Sequence, residues 1–200
     1  MDRVLSTFCY GLCVFSLDVL LEFLRNEKIR TKKVLQYFQK NPEIYLNTLK
    51  EGIWIPFVGI NSIDYVIKLV GYDQPFNDEW EQKFDYEGFN IEIKNGLWFS
   101  DTKSFHPFDK DKYVGSDEIS YQIETLIGSS YEMTTVYSGF KYEVPSGKYS
   151  LSIKGYKRRQ RLEFPNVNCG FLFSLDKVNG FEGFNNPRED ELYNFNVANM

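Results

Sequence analysis

Residues Tyr72 to Phe99, YDQPFNDEWEQKFDYEGFNIEIKNGLWF, carry the reading of the fold. The second half of the stretch alternates apolar and polar residues from Phe89 to Lys94, and a second run follows from Leu97 to Lys103, with Asn95-Gly96 between them. Asn-Gly supplies the two positive-φ positions of a type I′ turn, so the pattern predicts a β-hairpin with Phe89, Ile91 and Ile93 facing a core. The first half differs in character. From Asp73 to Glu92 seven carboxylates (Asp73, Asp78, Glu79, Glu81, Asp85, Glu87 and Glu92) stand against one lysine, Lys83, with Phe76, Trp80, Phe84, Tyr86 and Phe89 threaded among them. Phe76, Trp80 and Phe84 recur at i, i+4 and i+8, which fits the buried stripe of a short helix whose acids face water. The same residues fit an exposed surface for a basic partner, because acids steer cations and tryptophan and tyrosine favour interface centres. Asp78, Glu79, Trp80, Glu81, Asp85, Tyr86 and Glu87 are therefore the candidate partner-binding residues, with Tyr72 and Trp98 as further aromatic contacts if exposed.

Towards the amino end the period becomes helical. Val19, Leu20, Phe23 and Leu24 form one stripe, Val34, Leu35 and Phe38 a second, and Ile44, Tyr45 and Leu49 a third. Three short helices follow, capped by Ser16 or Asp18, by Thr31, and by Asn41 with Pro42 at the first helical position, the last ending at Gly52. Ser6 to Phe15 fits a helix or a strand equally. Residues 1–52 are expected to form a helical segment packed on the core of a second part, 53–200, built from strands. The apolar run Val4 to Leu24 lacks the basic start and small-residue cleavage site of an export signal, and Asp18 interrupts it before it could span a bilayer.

Beyond Gly52 the texture is that of strands. IWIPFVGI (Ile53 to Ile60) contains Pro56 and suits an edge strand, and IDYVIKLV (Ile63 to Val70) follows. Ser104 to Asp117 reads as a loop. Tyr131 to Tyr137, Phe140 to Val144, Lys148 to Lys154, Val167 to Leu175 and Leu192 to Val197 read as strands, with Pro145-Ser146-Gly147 turning a second hairpin. About seven short strands separated by turns predict an α+β chain, a helical layer followed by a mainly antiparallel β-sandwich.

Composition narrows the function classes. A net charge of -5 and a pI near 5.1 argue against the broad basic footprint of a nucleic-acid binder. The basic cluster Lys154, Lys157, Arg158, Arg159 and Arg161 reads as the solvated end of a strand. Three cysteines, Cys9, Cys13 and Cys169, form neither a disulfide framework nor a zinc spacing, and suit buried thiols in a reducing cytoplasm. His106 is the single histidine, without a partner nucleophile or second ligand in a motif. DKDKYVG from Asp109 places Tyr113 and Val114 where a calcium loop needs a ligand and a glycine. Phosphate-loop, nucleophile-elbow and HExxH motifs are absent from the sequence, and no cofactor is expected.

A small, acidic chain without catalytic motifs resembles the bacterial toxin-immunity proteins. FKYEVPSGKYSLSI, Phe140 to Ile153, is also similar to the strand-turn-strand of the competence-associated nuclease inhibitors, which are β-sandwich proteins. The resemblance implies a non-catalytic inhibitor of a cognate toxin that is basic because it binds phosphates, and it transfers no individual binding residue. Three other classes fit the composition: a carbohydrate-binding module using aromatic platforms, an acid-base hydrolase using paired carboxylates, and a scaffold associating through strand edges.

Overall fold

The computed structural model describes residues 2–8, 11–127, 130–189 and 191–200. Among the described residues ten strands and three α-helices make a mixed α+β architecture with two mainly antiparallel sheets. Five strands form the first sheet in the order β1 (Arg3–Ser6), β4 (Asp64–Leu69), β10 (Cys169–Val178), β9 (Gly147–Arg158), β5 (Trp80–Ile93), where only the β4–β10 pair is parallel. The second sheet runs β3 (Trp54–Val58), β2 (Gly11–Phe15), β6 (Leu97–Asp101), β8 (Ser130–Tyr142), β7 (Glu118–Ile127). One apolar cluster takes residues from both sheets: Tyr65, Ile67, Ile91, Leu151 and Phe171 from the first, Val14, Phe57, Phe99 and Phe140 from the second.

The helices α1 (Leu17–Asn26), α2 (Val34–Lys40) and α3 (Pro42–Lys50) form the expected small layer, packing with Phe15, Trp54 and Trp98 of the second sheet in a separate cluster. The helical segment is shorter than residues 1–52, because β1 and β2 join one sheet each. Ser6 ends β1 and Gly11 to Phe15 form β2: neighbouring strands, and not period, select that state. Pro42 opens α3 as expected. Ser16 stands at the start of α1 but makes no cap; its Oγ donates to the carbonyl of Lys94 at 2.5 Å and accepts the Lys94 N–H at 2.9 Å. Lys33, and not Thr31, precedes α2, and Thr31 Oγ1 accepts its N–H. Gly52 at φ 70° leaves α3, and a Cβ there would lie 2.8 Å from the Glu92 nitrogen.

Both expected hairpins are crossings between sheets. Asn95 and Gly96 have the anticipated positive φ, 56° and 94°, yet β5 pairs with β9 in one sheet and β6 with β2 and β8 in the other. Pro145-Ser146-Gly147 likewise carries the chain from β8 to β9, so FKYEVPSGKYSLSI is strand-turn-strand without pairing across the turn. A turn sequence specifies local φ and ψ; the strand that receives each ladder lies elsewhere in the chain. The proline-containing strand β3 is an edge, as expected. The 104–117 loop is anchored by buried Phe105, Phe108 and Tyr113 among the helices. Leu192 to Val197 forms no strand; Phe195 and Val197 instead plug the inter-sheet cluster, Phe195 lying 5.0 Å from Phe57 of β3 and 5.8 Å from Phe84 of β5. Cys13 and Cys169 are buried free thiols, pushed up from the usual thiol range by burial, and Cys9 lies outside the described residues. No helix among the described residues is long and apolar enough to cross a membrane.

Candidate interaction surface

From Trp80 onward the acidic-aromatic stretch is a strand and not a helix. It is the edge strand β5, and its register on β9 sets the basic cluster directly across from it: Asp85 opposite Lys154, Glu81 opposite Lys157, Trp80 opposite Arg158. Asp85 pairs with Lys154 at 2.8 Å and Glu79 with Arg158 at 2.8 Å, while Glu81 pairs with Lys83 of its own strand at 2.8 Å. The bond from Lys83 holds the Glu81 carboxyl below its ordinary range, and the bond to Asp85 holds the Lys154 amine above its own. Asp78 and Glu87 are exposed; their carbonyls accept from Arg159 Nε and Asn185 Nδ2.

Its aromatics are largely spoken for. Trp80 is 8% exposed, its ring 4.7 Å from Phe76 and 4.6 Å from the Arg158 guanidinium. Phe76 in turn stacks on Tyr156 at 4.5 Å and sits against Gly170, where a Cβ would meet its ring at 2.6 Å. Trp80 therefore points away from the inter-sheet core, yet a cover of Phe76 and Arg158 keeps it from water. Tyr86 is half-buried against Phe84, Tyr193 and Phe195, and its hydroxyl accepts the Asn194 N–H. Trp98 is buried in the helical cluster, and Tyr72 is exposed with its hydroxyl donating to the Glu143 carbonyl.

Composition by segment located the acid but missed the strand that carries it unshielded. Between Lys112 and Lys141 the sequence has no lysine or arginine and four acids, Asp117, Glu118, Glu124 and Glu132. This interval folds into the hairpin β7–β8, the true hairpin of the second sheet. Only Ser100 to Leu97 of β6 pair with β8, at Gly139 to Tyr142, so the distal hairpin stands as a two-stranded arm. β1 lies over β8 at the root of the arm, with Arg3 Nη1 donating to the Lys141 carbonyl and its guanidinium 4.1 Å over Tyr142. Further out, Leu126, Tyr131 and Met133 are 52, 68 and 66% exposed. The pairs Leu126–Tyr131 and Glu124–Met133 place these three on one face, which continues the core-facing side of Tyr137 with no strand across from it. Lys141 pairs with Asp117 at 3.6 Å, whereas no ion pair reaches Glu118, Glu124 or Glu132 among the described residues.

Tyr121 and Val136 occupy the arm's other face, Tyr121 lying 5.7 Å from the Phe8 ring. A cleft of about 660 Å³ opens at the root of the arm between this strand and the 103–113 loop, with Asp101 and Ser138 in its lining. The buried Asp101 carboxylate accepts the N–H groups of Phe8 and Lys103, and burial together with the charges of Asp101 and Asp64 pushes the Tyr121 hydroxyl up to about 12. His106 is exposed on the cleft wall. Tyr121 and Tyr131 are on opposite faces of the arm and all three tryptophans are buried, so these side chains do not line up as a stacking platform. No group of three or more metal-ligating side chains is found among the described residues. Neither a family model, a curated protein nor a solved structure matches the chain.

Proposed function

We propose that this chain is a non-catalytic, cytoplasmic immunity protein that binds and neutralises a cognate basic toxin of nuclease type. The two sheets, which share one apolar cluster, are read as the layers of a β-sandwich that serves as a rigid base for the binding arm. The β7–β8 arm carries the reading: it joins the uncovered Leu126, Tyr131 and Met133 to Glu124 and Glu132, which no ion pair reaches among the described residues. An apolar patch ringed by acids is what a basic protein needs, since the acids raise the association rate and the desolvated apolar centre slows dissociation. Asp78, Glu79, Asp85 and Glu87, the exposed acids of the candidate set, lie on or beside β5 at the far edge of the other sheet and add to the negative field at longer range.

The test is genetic and then kinetic. Neighbouring open reading frames are expressed with and without this chain. Relief of a growth-inhibiting product by the chain supports the proposal, and a neighbourhood whose toxic products it never relieves overturns it. With the relieved toxin in hand, Glu124→Lys with Glu132→Lys is expected to slow association about tenfold or more at low salt. Asp85→Lys with Glu87→Lys is expected to slow it by less.

A further inference from the structure

A strand at a sheet edge presents unpaired N–H and C=O groups, and folded chains blunt such edges with short strands, proline, bulges or cover. Three of the four edges here are blunted. β1 has four residues, and β3 has five including Pro56. β5 is long, but its register shifts between Gln82 and Phe84 and again between Tyr86 and Phe89. Its backbone is also engaged from outside the β9 ladder: the Glu92 N–H donates to Gly52 O at 2.7 Å. β7 is the exception. Its ten residues pair with β8 throughout, shift register once between Ile119 and Ser120, contain no proline, glycine or lysine, and meet no strand on the outer side.

We infer that the outer edge of β7, from Ser120 to Leu126, receives an extended basic segment of a partner protein as an added strand. The inference rests on reading the chain as a binder of a basic protein and says how that partner docks. Main-chain hydrogen bonds along the edge hold the segment, and its side chains fall alternately on the two faces. On one face they meet the uncovered Leu126, Tyr131 and Met133; on the other they meet Tyr121, whose strand also lines the root cleft. Charge selects the occupant. A second copy of this chain would set two β7 strands side by side, each carrying Glu118 and Glu124, with no base between Lys112 and Lys141 to offset them.

The full-length protein is titrated with a short peptide alternating lysine and valine, with the same peptide N-methylated on alternate backbone nitrogens, and with a glutamate-valine counterpart. Fluorescence anisotropy reads the affinity, and amide hydrogen exchange reads the strand. The expected result is binding of the lysine peptide about tenfold or more tighter than its N-methylated form, with new protection at Ser120 to Leu126. Equal affinity for the two lysine peptides overturns strand addition while leaving a basic partner in place. Indifference between lysine and glutamate peptides at low salt overturns the basic-partner reading instead. A dimer by light scattering, with β7 amides already protected in the free protein, assigns the edge to a second copy and also overturns the inference.

Discussion

β5 and β7 invite comparison because both are long edge strands that carry acids, yet they present opposite surfaces. β5 lies beside β9, which answers its acids with Lys154 and Arg158, and Phe76, Tyr193 and Phe195 cover its rings. β7 lies beside the Ser130 to Phe140 part of β8, which adds Glu132 and no base, and no layer covers the distal ends of either strand. A strand's own composition is half of its surface. The paired strand supplies the other half, and a cross-strand partner either cancels a charge or doubles it.

This contrast can be broken most directly by truncation. Phe84 is 7% exposed, stacks 4.8 Å from Tyr86 and rests on Gly155. Phe84→Ala is expected to cost about 3–5 kcal/mol in urea unfolding, and Tyr131→Ala at the arm less than about 0.5 kcal/mol. Similar losses at the two sites would mean that the arm is packed as firmly as β5. A smaller loss is expected from Gly155→Ala. The new Cβ would stand 2.2 Å from the Phe84 ring, and overpacking of this kind costs about 1–3 kcal/mol. A neutral result would show that the β5 aromatics shift freely.

Hydrogen exchange sharpens the comparison without mutation. Amides of β9, held between β5 and β10, are expected to exchange last, and those of Gln122 to Thr135 in the two-stranded arm well before them. Exchange of both sets together would argue that the arm opens only with the whole fold.

The smallest effect concerns the cross-strand ion pair. Asp85 raises the titration of Lys154, so the pair's contribution is fully present below the ordinary lysine pKa and is lost as pH rises through the Lys154 titration in the folded state. Both side chains are partly exposed, which limits that contribution to under about 1 kcal/mol. Asp85→Asn should lower the Lys154 pKa, seen by NMR of its ammonium group, and should remove this pair's share of the alkaline stability loss. An unchanged Lys154 titration would show that the pair does not form in solution.

Much of the element list was legible because it depends on near neighbours. Pro42 marked a helix start, Pro56 an edge, and the alternation of KYSLSIK a strand, each through the conformational limits of the residues themselves. β7 went unread as a strand although Ile119, Tyr121 and Ile123 alternate with Ser120, Gln122 and Glu124 as in a half-buried strand; the alternation breaks only at Thr125-Leu126. The candidate site was legible as composition, whereas the bases that pair with Glu79 and Asp85 come from β9, far along the chain. The helical spacing of Phe76, Trp80 and Phe84 is accidental: Phe76 precedes the strand, Trp80 opens it on the outer face, and the shift after Gln82 turns Phe84 to the core.

By itself the sequence determined that strands follow helices, that Asn95 and Gly96 turn with positive φ, and that acid accumulates without base from Tyr113 to Phe140. Only the tertiary structure decided that both turns cross between sheets, that Trp80 is capped, and that β7 keeps a free edge. The physical reason is range. Backbone conformation and net charge are properties of a segment, whereas pairing, burial and charge cancellation are set by residues that reach the same place from distant parts of the chain.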